Sequence, residues 1–134
     1  MERQSKIDIS GVNERTVDFV LARRALLRAF GRGEVLKTEI CDAQPELMRA
    51  ALNLGKPKSS ICPICRDTKL VSVYFAFGPK LPAHGRCLNS ESEIDSILSR
   101  HIDAKVYEVE VCLNCKWNHL DRLLAPFVFG EESA

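Results

Sequence analysis

The stretch from Cys62 to Cys115 decides the fold of this chain, because it opens with CPIC (Cys62, Cys65) and closes with CLNC (Cys112, Cys115). The two pairs have identical spacing and 46 residues lie between them. A Cys-x-x-Cys turn places two sulfurs on one side of a tight loop, where they can occupy two corners of a tetrahedron around zinc. The pattern therefore predicts one structural Zn²⁺ ion held by all four thiolates. Such a closed site leaves no coordination position for a substrate.

Two other interpretations of the cysteine pairs compete with zinc. A redox dithiol of the thioredoxin type normally lies at a strand-to-helix turn, whereas the residues after Cys65 lead into the strand-like sequence LVSVYFAF. Disulfides are typical of secreted proteins, and we see no secretory signal ahead of these cysteines. A redox protein or another enzyme stays open as an alternative, although no Ser/His/Asp, paired-carboxylate or phosphate-loop signature supports it.

The remaining cysteines and histidines are weaker ligand candidates. His84 and Cys87 have a spacing that could replace one thiol pair, but the sequence HGRC follows Pro and Gly residues and is predicted to be an exposed loop. His119 follows Cys115 by four residues and is a further ligand candidate. Cys41, within TEICDA, is interpreted as a small buried hydrophobe.

Composition and charge restrict the class of protein. The chain has 134 residues, 46% of them hydrophobic and 28% charged, which is ordinary for a folded domain. Residues 1–60 carry 11 Lys and Arg against 8 Asp and Glu, and residues 61–134 carry 8 against 10. This difference in net charge between the two halves is too small for either to be a strongly basic domain that coats DNA. No apolar run reaches 18 residues, so we expect a cytoplasmic protein without a membrane span.

The first helical pattern carries a basic stripe. Residues 1–11 are polar and are predicted to form a flexible arm, and apolar positions at three-to-four spacing predict a helix over residues 16–30. On its other face Arg24, Arg28 and Arg32 follow one another at intervals of four. They can contact phosphate or an acidic protein surface, or form an ordinary solvated helix face.

Two further helices are predicted over residues 36–41 and 45–55. Three helices joined by short turns predict a small bundle that resembles a helix-turn-helix. The third helix offers few groups for reading bases: Arg49, Asn53 and Glu46. A protein-docking module is therefore favoured over sequence-specific recognition of DNA.

The chain is predicted to divide at GKPKSS, residues 55–60, which contains no large apolar side chain. We expect a helical domain at residues 12–56 and a zinc-ribbon β domain at residues 57–134. Within the second domain, residues 69–77 and 105–111 have strand-like patterns, and SESEIDSILSRH between them predicts an inserted short helix with Ile94, Ile97 and Leu98 on its inner face. The predicted fold class is α+β.

At these motifs the chain resembles a known family. VDFVLARRALLRAF, EICDAQPELMRAALNLG, CPIC and VYEVEVCLNCKWNHL are similar to segments of small actinobacterial proteins of unknown function that join a helical N-terminal half to a C-terminal zinc ribbon. The resemblance covers roughly residues 16–130, and CDAQPEL and CLNCKWNHL are its most specific parts. It implies zinc at Cys62, Cys65, Cys112 and Cys115. It implies no activity, because that family has none assigned.

Three functions of different classes follow from these observations. The first is a non-enzymatic accessory protein that docks on the transcription machinery, with RNA polymerase as the expected partner. This expectation uses an analogy of fold with small bacterial zinc ribbons that bind RNA polymerase or the ribosome. The second is a DNA- or RNA-binding regulator that uses the N-terminal helices. The third is the redox protein or other enzyme described above.

Overall fold

The computed structural model describes the backbone of Glu14–Pro126 and the side chains from Thr16 onward. The predicted arm, residues 1–11, lies outside the described residues. Helices and strands are mixed along the chain. In order they are β1 (Glu14–Asp18), α1 (Val20–Gly31), α2 (Lys37–Ile40), α3 (Pro45–Leu54), β2 (Lys56–Ile61), β3 (Lys69–Phe77), β4 (Arg86–Leu88), α4 (Glu91–Arg100), β5 (Lys105–Val111) and β6 (Asn118–Pro126).

The described strands form one sheet with the order β1-β6-β5-β3-β2, and β4 also pairs with β3. β1 runs antiparallel to β6, with Thr16 opposite Leu124. Both β2 and β4 run antiparallel to β3. The register of β2 shifts between Pro57 and Ile61. Since proline has no N–H to donate to a ladder, an irregularity beside Pro57 is expected in this strand.

Most of the predicted elements are found close to their predicted bounds. The helices α2 and α3 and the strands β3 and β5 lie where the apolar patterns placed them. The inserted helix is α4, and Ser90 caps it by accepting a hydrogen bond from the backbone N–H of Glu93.

Two segments differ from the sequence prediction. Thr16–Asp18, predicted to begin the first helix, belongs to strand β1, and α1 begins only at Val20. The predicted linker is strand β2, paired with β3. In both segments the extended conformation is stabilised by pairing with a strand distant in sequence, which a local pattern does not report.

The described part of the chain divides into two compact units, and the first comprises residues 14–18, Tyr74–Tyr107 and residues 122–126. Its core lies beneath α4, which buries the predicted positions Ile94, Ile97 and Leu98. The other buried members of this core are Ala76, Leu88, Ala104, Val106 and Leu124.

The second unit comprises Phe19–Val73 and Glu108–Asp121. Its buried core consists of Ile40, Cys62, Leu70, Cys112 and Trp117, and side chains of α1 such as Leu26 and Phe30 pack against it. No residue of α1 is fully buried, and Ala51 is the buried residue of α3.

The separate helix-turn-helix-like bundle predicted for residues 12–56 is therefore not supported. The reason is physical: Ile40 of α2 and partly buried side chains of α1 pack against Leu70 of β3 and the thiol turns of the same unit, instead of forming a core of their own. The predicted boundary between residues 12–56 and 57–134 as independently folding domains stays a prediction.

Candidate metal centre

The two thiol turns, residues 62–66 and 112–116, have the same backbone construction. In each, the N–H of the fifth residue donates to the carbonyl of the first, at 3.1 Å from Arg66 to Cys62 and at 3.0 Å from Lys116 to Cys112. Arg66 and Lys116 have positive φ angles of 58° and 74°. The left-handed residue of each turn thus follows its second cysteine, and the chain reverses direction there.

Backbone N–H groups point at the sulfur that opens each turn. The N–H of Ile64 donates to Sγ of Cys62 at 3.4 Å. In the second turn the N–H groups of Asn114 and Cys115 both donate to Sγ of Cys112 at 3.4 Å. Hydrogen bonds of this kind stabilise a thiolate more than a thiol, so the backbone is arranged for metal-ligating sulfur.

The four sulfurs are brought together as the sequence predicts. Sγ of Cys62 lies 3.6 Å from Sγ of Cys115, and Sγ of Cys65 lies 3.7 Å from Sγ of Cys112. All four sulfurs lie within 4.8 Å of one another. A zinc–sulfur bond of about 2.3 Å gives a regular tetrahedron an edge of about 3.8 Å. The two separations of 3.6 and 3.7 Å are close to this edge, so the cluster is compatible with a tetrathiolate metal site.

Burial and hydrogen bonding move the thiol pKa values in opposite directions. Without a bound cation, burial raises the pKa of Cys112 to about 12. Burial likewise raises the pKa of Cys115 to about 12. A backbone hydrogen bond from Asp67 lowers the pKa of Cys65 to about 6. At neutral pH the cluster therefore carries protons that a metal cation must displace.

Cys41 lies beside this cluster, a position that the sequence interpretation missed. Its thiol donates to Sγ of Cys115 at 3.5 Å. The prediction of a small buried hydrophobe is therefore incomplete, because the half-buried side chain contacts a candidate ligand. In the sequence, Cys41 is recognisable only as a fifth cysteine at the end of a predicted helix. That position does not reveal its contact with Cys115, which is distant in sequence.

The backbone next to Cys41 is attached to the second thiol turn. The N–H of Ala43 donates to the carbonyl of Lys116 at 3.1 Å, and Nδ2 of Asn118 donates to Oδ1 of Asp42 at 3.0 Å. The segments CDAQPEL and CLNCKWNHL, which the sequence singled out, are thus neighbours in the fold.

A buried carboxylate contacts Trp117. Trp117 is fully buried, and its indole N–H donates to Glu110. Glu110 also accepts from Nε of Arg23 at 2.7 Å and lies 3.6 Å from Nζ of Lys58. Nζ of Lys58 in turn donates to Asp121 at 3.0 Å. The sequence analysis did not identify this network.

The other candidate ligands lie elsewhere. His119 stacks on Trp117 with ring centroids 5.8 Å apart, and its Nδ1 lies 2.7 Å from the carbonyl of Leu120. His84 is exposed, and Cys87 lies in strand β4, so the HGRC segment is partly strand where a loop was predicted. Within residues 14–126, the metal-compatible group consists of the four predicted cysteines.

The predicted basic stripe has Arg24 and Arg28 on α1 and Arg32 at the C-cap of that helix, and all three arginines are exposed. Arg32 makes two hydrogen bonds to Glu34, at 2.8 and 3.1 Å, so its charge is partly neutralised locally. Within Glu14–Pro126, Arg24 and Arg28 make no salt bridge within 4 Å. They are the members of the stripe with the most accessible charge.

Comparison with known proteins identifies relatives but no activity. A model described as "Family of unknown function (DUF5318)" matches residues 11–134. "Uncharacterized protein Rv0049" from Mycobacterium tuberculosis and "Uncharacterized protein Mb0050" from Mycobacterium bovis are each 41% identical to this chain over 104 residues. The alignment covers 78% of this chain and 76% of each relative. No solved structure matches. None of the described helices is long and apolar enough to cross a membrane.

Proposed function

We propose that this chain, which belongs to the DUF5318 family of unknown function, is a non-enzymatic zinc-ribbon accessory protein that docks on RNA polymerase. In this proposal Cys62, Cys65, Cys112 and Cys115 hold one structural Zn²⁺ ion. Helix α1 supplies the contact with the protein partner. The observation that carries the proposal is the closed set of four thiols.

The chemistry of the donors supports zinc. Four thiolates at tetrahedral separations form a set that Zn²⁺ prefers, and hard cations such as Mg²⁺ prefer oxygen ligands. When bound, the ion cross-links the two thiol turns and contributes folding free energy on the order of 10 kcal/mol. Since protein thiolates fill all four coordination positions of the ion, the site supports a structural role and not a catalytic one.

The exposed side of α1 supports docking on a protein. Leu21 is 75% exposed, and Arg24 and Arg28 follow it at intervals of three and four, so the three side chains share one helix face. We call these residues the outer face of α1. An apolar side chain beside two arginines fits an acidic protein surface with an apolar pocket. The choice of RNA polymerase rests on the analogy with small bacterial zinc ribbons.

Nucleic-acid binding is the alternative, because the same two exposed arginines can contact phosphate groups. In that case binding would depend steeply on salt and little on sequence. The net charge of +1 for the whole chain gives this alternative little general electrostatic support.

The test uses purified mycobacterial RNA polymerase, a DNA duplex and the zinc-loaded protein. The variant Arg24→Glu/Arg28→Glu reverses the charge of the outer face. The variant Lys80→Glu/Arg100→Glu makes the same change in charge at two exposed residues elsewhere and is the matched control. Polymerase capture and duplex binding are measured in parallel near physiological salt, where charges are screened beyond about 8 Å.

We expect the outer-face variant to lose polymerase capture, while the control variant binds as the wild type does. Failure of the wild-type protein to bind polymerase would contradict the proposed partner. If the outer-face variant lost tight duplex binding but still captured polymerase, the nucleic-acid alternative would replace the proposal.

A further inference from the structure

The thiol cluster contains a fifth sulfur that the four-ligand site does not use. Cys41 is not among the four cysteines whose sulfurs all lie within 4.8 Å of one another. Its thiol nevertheless lies 3.5 Å from Sγ of Cys115, as close as the ligand sulfurs lie to each other. With a metal in place, Cys41 would be the one thiol of this group that remains free to react.

Cys115 is the ligand best placed for such a reaction. Cys62 and Cys112 are 1% and 0% exposed, whereas Cys115 and Cys65 are half-buried and accessible to a small oxidant. Of these two accessible ligands, Cys115 is the one whose sulfur contacts Cys41. A backbone hydrogen bond from Ala43 to Lys116 and a side-chain hydrogen bond from Asn118 to Asp42 hold the two segments together.

We propose that Cys41 and Cys115 form a peroxide-sensitive pair, in which Cys41 is the resolving thiol for an oxidised metal ligand. The inference rests on the four-thiol zinc site proposed above. A hydroperoxide transfers an oxygen atom to the sulfur of Cys115, which becomes a sulfenic acid while the peroxide is reduced to water or an alcohol. The thiol of Cys41 then attacks that sulfur, and a disulfide and one water molecule are formed.

The consequence is release of the metal. The overall reaction takes two electrons from two thiols and gives them to one peroxide molecule. It leaves three thiolates where four are needed to close the site, so the Zn²⁺ ion is lost or weakly held. Because a disulfide is reversible and a sulfinic acid is not, Cys41 protects the ligand from permanent oxidation.

The experiment treats zinc-loaded full-length protein with increasing hydrogen peroxide and maps the first disulfide by mass spectrometry. Trypsin separates the partners, because Cys41 falls in residues 38–49, Cys62 and Cys65 in residues 59–66, and Cys115 in residues 106–116. Fragmentation of the last peptide distinguishes Cys115 from Cys112. Zinc content is measured before oxidation, and zinc release is followed with a chromogenic chelator.

We expect the first disulfide to link residues 38–49 to residues 106–116 through Cys115, together with zinc release. A first disulfide between residues 59–66 and 106–116 would overturn the proposal. If the wild-type protein contained no zinc before oxidation, the proposed function would be contradicted. The disulfide map would still decide the role of Cys41.

The variant Cys41→Ser provides a second measurement, with Cys87→Ser as the control. We expect Cys41→Ser to bind zinc normally, but to accumulate sulfinic acid at Cys115 and to lose zinc rebinding after reduction. Cys87→Ser should behave as the wild type. Equal sulfinic acid at Cys115 with and without Cys41 would overturn the proposal, as would loss of zinc from Cys41→Ser before any peroxide is added.

Discussion

The indole N–H of Trp117 donates a 2.8 Å hydrogen bond to Oε2 of Glu110, and both side chains are buried. The same oxygen accepts a 2.7 Å hydrogen bond from Nε of Arg23 in α1. One carboxylate therefore links α1 to strand β5 and to the residue that follows the second thiol turn. The ion pair and the second thiol turn belong to one packed unit, which explains how α1 is held although none of its residues is fully buried.

The first prediction concerns this carboxylate. Glu110→Ala leaves the N–H of Trp117 without its acceptor and Arg23 without its counter-ion. We expect the free energy of unfolding to fall by about 1–3 kcal/mol, the cost of leaving the buried N–H of Trp117 without its acceptor, because the Arg23 side chain is 27% exposed and can be hydrated. Urea unfolding of the zinc-loaded protein measures this. Glu34→Ala, which removes an exposed pair with Arg32, should change stability little. Similar stability for both variants would contradict the assigned role of Glu110.

The second prediction concerns Gly85, which has a φ angle of +89°. A Cβ atom there would lie 2.6 Å from Cζ of Phe77, whose ring packs edge-on against Tyr107. We expect Gly85→Ala to lower the free energy of unfolding by about 1–3 kcal/mol, because both the backbone and the ring must adjust. Gly31→Ala is the control, since nothing lies within 4 Å of its added Cβ. An unchanged urea midpoint for Gly85→Ala would contradict this packing.

The third prediction concerns pH. Burial raises the pKa of Cys112 and Cys115 to about 12, so both are protonated at neutral pH before metal binds. Zinc binding must release at least these two protons, and affinity should therefore rise by at least about 100-fold per pH unit near neutrality. Below about pH 6 the thiolate of Cys65 also takes up a proton, and affinity should fall more steeply. Competition with a fluorescent chelator measures the slope, and a zinc affinity independent of pH would contradict the protonation pattern.

Local patterns predicted much of the fold. The alternation of residues 69–77 and 105–111 identified two strands with correct bounds, and the apolar spacing of Ile94, Ile97 and Leu98 identified the buried face of α4. The repeated Cys-x-x-Cys spacing identified all four clustered thiols. These signals are local or are repeated in the sequence itself, so they can be recognised without knowing the tertiary structure.

The features that the sequence did not predict depend on contacts between distant segments. Strand β1 is extended because it pairs with β6, although residues 16–18 match a helical pattern. The sequence indicated that Cys41 is a core residue, and only the tertiary structure shows that its sulfur lies beside Sγ of Cys115.

The central claim is that the four thiols hold one zinc ion, and metal analysis tests it most directly. Protein purified under anaerobic conditions should contain one Zn²⁺ per chain by inductively coupled plasma mass spectrometry. Cys62→Ser and Cys112→Ser should abolish metal retention, because each removes a buried ligand, and Cys87→Ser should retain the metal. Less than about half an equivalent of zinc in the wild-type protein would contradict the account, because a structural tetrathiolate site binds its ion tightly.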